Sequence, residues 1–211
     1  MKKTKQKIIL SSIELFNQKG LTNVRLQNIA DQCGISVGNL AYHFPNKLAI
    51  IEVIDEILQS EIEPILSDKK RFPYLIDFDN QLSNYYFFIN KYAFYFLDLM
   101  ELERSYPDLH IKRKQYIHKM IDQIHKWLLD NISKSILQEE IQEEQYRHTA
   151  KAIWMIITFW MTQQHVKGTH HQDEGEFKEV VWNQLVPIFT ESGLMEFEAI
   201  ILPQLKNYST Q

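Results

Sequence analysis

Cysteine is nearly absent: Cys33 stands alone in 211 residues, which excludes an intramolecular disulfide framework and fits a reducing cytoplasm. Glycine and proline are scarce, six of each, and the runs between these breakers are long and periodic, so the chain is expected to be all-α. No stretch approaches the ~18 uncharged apolar residues that a membrane-spanning helix needs, so no membrane partner is expected. The opening MKKTKQKIILSS carries lysines but only the short apolar run Ile8–Leu10, unlike a secretory signal. Catalytic motifs are missing as well. There is no GxSxG, no HExxH, no phosphate-cradling glycine loop and no nucleophile–base pair. The acid pairs Glu139–Glu140 and Glu143–Glu144 suit exposed helix ends, so neither an enzyme nor a cofactor is expected. His165, His170 and His171 cluster near one turn, but their spacing fits no standard metal site and no cysteine joins them. They are assigned to a solvated turn.

What is present is uneven in charge. Residues 1–47 hold seven basic side chains against two acidic ones, whereas the remainder holds sixteen against twenty-five. A basic end on an acidic body suits a protein with one DNA-facing surface, although a lysine-rich tail can also serve solubility alone. Within that basic end, residues 26–47, LQNIADQCGISVGNLAYHFPNK, carry the strongest local signal. Leu26, Ile29 and Ala30 recur at i, i+3 and i+4, the spacing of one helix face. Gly34 is the residue best able to take the left-handed conformation that closes a helix, and Ser36 is a good N-cap for a second one. That second helix, VGNLAYHF, offers only Val37 and Leu40 as large aliphatic residues to bury. Two short helices joined by a glycine turn form a helix-turn-helix, whose second helix enters the major groove of DNA.

This run resembles the DNA-binding segment of the TetR/AcrR transcriptional regulators. Ile29, Ala30, Gly34, Ile35, Ser36, Gly38, Leu40, Tyr42, His43, Phe44 and Lys47 stand where that family's pattern wants them, and the GNLxYHFxNK wording is similar to one of its sub-branches. Several positions depart from it. Val24 and Arg25 replace a threonine and a serine or threonine, so the usual hydroxyl cap of the second helix of the head is lost unless Asn23 supplies one. Gln27 replaces a common arginine, Cys33 an alanine and Ala41 a tyrosine.

The candidate DNA contacts divide by chemistry. Ser36, Val37 and Asn39 lie on the first turns of the recognition helix and suit base edges: asparagine pairs bidentately with adenine, and valine meets a thymine methyl. Arg25, Tyr42, His43 and Lys47 suit phosphate oxygens, as similar positions do in the family. Tyr42 and Phe44 can also be read as core aromatics, and for Phe44 that reading is preferred. One head reads few base pairs, so a homodimer on a near-palindromic double-stranded operator is expected.

The first helix is expected from about Lys3 to Lys19, and a fourth one, capped by Asn46, to run to Ile62 and end at Pro64 as the lever between head and body. The expected domains are therefore residues 1–47, a three-helix DNA-binding head, and residues 48–211, a helical ligand-binding and dimerisation domain. SDKKRFP at 67–73 reads as a linker. Phe72–Met100 holds eleven aromatics in 29 residues, a density expected to be buried on more than one side. Further helices are expected from Pro107 to about Ile132, at 143–167, at 174–191 with Pro187 bending it, and at 194–205 beyond a break at Gly193.

Tyr85, Phe88, Tyr92, Phe96, Met100, Met120, Trp127 and Trp154 either fill a core or line a cavity for a small apolar or aromatic effector. Family members sense ligands in this region, so the resemblance implies an effector-released repressor. Phe159, Trp160, Val181, Leu185 and Ile188 on the 143–167 and 174–191 helices are either core or the dimer face, where the resemblance implies four helices, two per subunit. The rival reading is a helical small-molecule- or lipid-binding protein without specific DNA binding.

Overall fold

The computed structural model describes residues 3–65, 74–107, 110–168 and 173–208, without the side chains of 110–112. The 67–73 linker, His170 and His171 lie outside the described residues. Helix α1, Lys3–Lys19, buries Ile8, Ile9, Ser12, Ile13, Leu15 and Phe16. Ser12 is admitted to that face because its hydroxyl donates to the Ile8 carbonyl at 2.7 Å. Asn23 donates its side-chain amide to the Lys19 carbonyl at 2.8 Å, closing the end of α1. It therefore does not cap the second helix.

Helices α2, Leu26–Cys33, and α3, Val37–His43, come next. Asn46 then accepts the Ala49 amide at 2.9 Å and starts α4, Lys47–Ile65, which carries Pro64 within its last turn. The chain divides into two compact units. The first takes in Met1–Pro64 and Lys91–Ile111, with α6, Ala93–Leu97, and α7, Leu99–Ser105. Its core joins Phe16 to Phe94, ring centroids 5.2 Å apart. Tyr95 donates its hydroxyl to the buried Asp55 carboxylate at 2.8 Å.

The second unit takes in Ile65–Asn90 and Lys112–Gln211. Its helices are α5, Leu75–Lys91; α8, His110–Ser133; α9, Gln145–Lys167; α10, Glu174–Trp182; α11, Glu191–Glu196; and α12, Leu202–Tyr208, the last two separated by a π-helical turn at Phe197–Ile201. Phe78 stacks on Trp127 at 4.2 Å and meets Trp182 edge-on at 5.4 Å. Beside these rings lies a buried ion pair. Lys178 Nζ is 2.7 Å from Asp79 Oδ2, and Trp182 Nε1 donates to Asp79 Oδ1 at 2.9 Å.

The all-α expectation holds: no strand occurs among the described residues, only an isolated bridge between Leu137 and Phe189. Several boundaries differ from expectation. The 174–191 helix stops at Trp182, and Pro187 sits instead in a short 3-10 turn, Val186–Ile188. Proline has no amide to continue the ladder, and the segment pairs with 136–138 instead: Gln138 N donates to Ile188 O at 2.9 Å and Thr190 N to Ile136 O at 3.0 Å. Gly193 does not separate two helices. It lies buried inside α11, where an added Cβ would run into the Ile136 carbonyl oxygen, so its role is close approach. The aromatic run is buried on more than one side, as expected, with Tyr85, Tyr86, Phe88 and Ile89 all covered and Tyr74 and Phe87 exposed. The long helix after Pro107 is described from His110.

Candidate nucleic-acid interface

Gly34 takes φ +65° and its amide bonds back to Asp31 at 3.0 Å, while Ile35 N reaches Ala30 O at 3.0 Å. That pair of bonds is the left-handed closure glycine permits, and it turns the chain sharply between α2 and α3. Ser36 then accepts the Asn39 amide on its hydroxyl at 3.1 Å. Of the seven residues of α3 only Leu40 is fully buried, with Phe44 locking its C-terminal end. Ser36, Gly38, Asn39, Ala41 and Tyr42 are exposed, and Val37 and His43 are half-buried. Tyr42 is 82% exposed, which removes it from the core. Its ring meets that of His43 edge-on at 5.2 Å, so the two aromatics stand together at one end of the helix.

Arg25 occupies the N-cap of α2 with an exposed side chain that makes no cap bond. A guanidinium has no acceptor to offer the orphan amides. Half of a cap survives by another route, because Asn28 Oδ1 accepts the Arg25 amide at 2.8 Å. Val24 is fully buried, which explains an aliphatic residue where a hydroxyl is usual. Gln27 points its amide to Asp31 at 2.6 Å. Lys47 behaves differently from the other candidates. Its ammonium donates to the Leu21 carbonyl at 2.9 Å, and burial lowers its pKa while Glu101 pulls it back up.

Three participants were invisible to pattern reading. Asn28 is the N3 residue, but it lacks the glutamate or glutamine of the usual capping box. Lys5 sits 5.4 Å over the Phe44 ring. Asp98 accepts the Leu21 amide at 2.7 Å from 77 residues away, with no local signature.

Outside the head, Trp160, Val181 and Leu185 are buried within their own unit, at 6%, 0% and 0% exposure. They therefore have almost no area to offer a partner and belong to the core. Phe159 remains exposed at 38%, Ile188 is half-buried, and Met155 and Val166 extend the apolar strip on the same side of α9. Among the eight effector candidates, Tyr92, Phe96 and Met100 belong to the first unit, and Met100 is 62% exposed. In the second unit, Tyr85, Phe88, Met120 and Trp127 are buried on α5 and α8. Tyr85 donates its hydroxyl to Gln123 at 2.8 Å, and Trp127 Nε1 is buried with no acceptor among the described residues. Trp154 is half-buried and turned toward Phe159, 6.3 Å between centroids.

Among the described residues no group of histidine, cysteine or carboxylate side chains could hold a metal ion, and no helix is long and apolar enough to cross a membrane.

Known proteins place this geometry. Residues 8–54 match the family described as "Bacterial regulatory proteins, tetR family", and residues 58–197 match TetR, described as "Bacterial transcriptional repressor". The HTH-type transcriptional regulator RutR of Escherichia coli is 39% identical over 70 residues, which span 32% of this chain and 33% of RutR. IcaR of Staphylococcus aureus, the HTH-type negative transcriptional regulator of the icaADBC biofilm operon, is 26% identical over 83% of this chain and 89% of its own. A TetR-family transcriptional regulator from Marinobacter aquaeolei VT8 superimposes with a TM-score of 0.84 at 28% identity, covering 99% of both chains. A helix-turn-helix with its second helix turned outward, and family matches that together run through most of the chain, lead to one conclusion: the protein belongs to the TetR family of DNA-binding transcriptional regulators.

Proposed function

We propose that the protein is a cytoplasmic repressor that binds a near-palindromic operator as a homodimer and leaves it when a small effector binds. The observation that carries this reading is the exposure of α3. A helix that buries Leu40 and leaves Asn39 and Tyr42 outside gains little from its own fold, and its free face fits the major groove. In this reading Ser36, Val37 and Asn39 meet base edges, while Arg25, Tyr42 and His43 meet phosphates. The similarity to IcaR, a negative regulator by name, supports the sign of control.

The dimer face is assigned to the outward side of α9, with Met155, Phe159 and Val166, joined by Ile188. The effector is assigned to the region between α5 and α8, an aromatic setting around Tyr85, Phe88, Met120 and Trp127. The buried Trp127 N–H, without an acceptor among the described residues, favours an apolar or aromatic molecule that carries one acceptor oxygen or nitrogen. Selection of duplexes from a random library by the full chain tests the reading. Enrichment of one near-palindrome, bound by two subunits, is expected. Sequence-indifferent binding would favour a helical small-molecule-binding protein instead.

A further inference from the structure

Leu21 lies in the turn between α1 and α2, outside any helix, and its side chain is 2% exposed. A buried peptide in such a place must find partners for its N–H and its C=O. Both come from charged side chains far along the chain. Asp98 Oδ2 accepts the Leu21 amide at 2.7 Å, and Lys47 Nζ donates to the Leu21 carbonyl at 2.9 Å. One peptide residue is thus held between an anion, at the junction of α6 and α7, and a cation, on the first residue of α4. Around it Lys91 and α6 are tied to α1 as well. The Asn17 side chain donates to Lys91 O at 3.0 Å and accepts from Phe94 N at 2.9 Å, and the Phe16 and Phe94 rings touch.

The turn so clamped is the entry to the helix-turn-helix. Leu21 and Val24 are buried, and α2 starts two residues after Val24. Any freedom at Leu21 would pass directly into the pose of α2 and α3, because the cap at Arg25 is only half made. Charge-assisted bonds are the stronger kind, so two of them on one residue make a stiff hinge point. Lys47 is placed to hold this turn, with its ammonium on a carbonyl of its own chain.

We propose that Lys47 and Asp98 are positioning residues for DNA recognition, acting through the backbone C=O and N–H of Leu21 and touching no phosphate. The inference rests on the DNA-binding reading above. It changes what Lys47 does within that reading, and it brings in Asp98, a residue with no place in the helix-turn-helix sequence.

The experiment uses the full chain and the duplex it enriches from a random library. Amide exchange at Leu21 is measured in the free wild-type protein, in Lys47→Met and in Asp98→Ala. Affinity is then measured against salt concentration, well below each variant's melting transition. Arg25→Met serves as the variant that should lose a phosphate contact. The expected result is a protected Leu21 amide in the wild type and faster exchange in both clamp variants. Each clamp variant should bind about tenfold more weakly, within the range of one charge-assisted hydrogen bond. Both should keep the wild-type slope of log affinity against log salt, while Arg25→Met loses about one unit of it. Asp98→Asn, which retains an acceptor oxygen, should recover part of the affinity. Open-chain exchange at Leu21 in the wild type overturns the proposal without needing any variant to fold. So does a Lys47→Met slope lowered by about one beside an Asp98→Ala variant that binds like wild type. Failure of the wild-type chain to enrich any duplex removes the DNA-binding reading, and this inference with it.

Discussion

Ser36 Oγ holds the Asn39 amide at 3.1 Å, so the cap that starts the recognition helix also fixes the backbone of the residue proposed to read a base edge. The two side chains therefore fail in different ways. Ser36→Ala should cost about 1 kcal/mol of stability through the lost cap, in addition to any base contact it loses. Asn39→Ala should leave the melting temperature near wild type, cost about 1–3 kcal/mol of operator affinity and relax specificity at one base pair. Thermal melts and binding to duplexes carrying single base changes separate the two effects.

Gly38 has no internal reason to be glycine. A methyl group added there meets only Ser36 Oγ, at 3.9 Å. Gly38→Ala should stabilise α3 by about 0.5–1 kcal/mol through helix propensity. If the exposed face lies against a duplex, the same methyl should weaken operator binding. A variant that melts higher and binds worse is the expected outcome. Unchanged affinity would place the duplex elsewhere.

Arg25 makes no cap bond at the N-cap of α2, and serine can make one. Arg25→Ser should gain about 1 kcal/mol of stability, read from denaturant melts. In the proposed complex it should also lower the salt slope of operator binding by about one, because a phosphate contact is lost.

The dimer proposal separates residues that look alike in sequence. Phe159→Glu places a charge on an exposed strip and should yield folded monomer, seen by sedimentation. Leu185→Ala, with no exposed surface, should instead cost about 2–5 kcal/mol of stability through a core cavity and leave the subunit count of the folded protein unchanged.

Asp79 and Lys178 are paired at 2.7 Å with almost no exposure. Lys178→Met should cost about 3–5 kcal/mol by stranding the Asp79 carboxylate, whereas Asp79→Asn should cost less because Glu174 Oε1 stays 3.3 Å from the ammonium, and replacing both with apolar residues should cost much less than Lys178→Met. Burial works against the Lys178 ammonium, but Asp79, together with Tyr208 and Glu174, more than offsets it and holds its pKa above normal. Burial also pushes the Tyr86 phenol up to about 12. Both groups keep their protons in the folded state where the unfolded chain loses them. Their stability is thus complete below the unfolded values near ~10 and is lost as pH climbs toward the folded ones. Denaturant midpoints falling from about pH 10 upward would show it.

Local features were the legible ones. The span of α1, the Gly34 turn, the Ser36 cap and the Asn46 cap are all decided within four residues of sequence, and each lies where spacing put it. What escaped depends on distant chain. Pro187 breaks a helix where a bend was expected, because its segment pairs with 136–138. Gly193 looks like a helix breaker until the Ile136 carbonyl is seen against it. In the site, exposure of Asn39 and Tyr42 matches the shortage of apolar residues in α3. The bond from Lys47 to Leu21 has no such signal, since a lysine at the end of a DNA-binding motif looks the same whether it faces phosphate or its own chain. Trp160, Val181 and Leu185 fit a dimer face in sequence yet lie in the core for a related reason: apolar periodicity marks a buried face without saying what buries it.

The central claim is that α3 reads DNA with its exposed face, and duplex selection by the wild-type chain, followed by a salt titration, tests it most directly. The account predicts one enriched near-palindrome with half-sites about 34–36 Å or a multiple apart, bound by two subunits with affinity that falls steeply as salt rises. No enriched sequence, or an enriched one that Asn39→Ala and Tyr42→Ala bind as tightly as wild type, would contradict it.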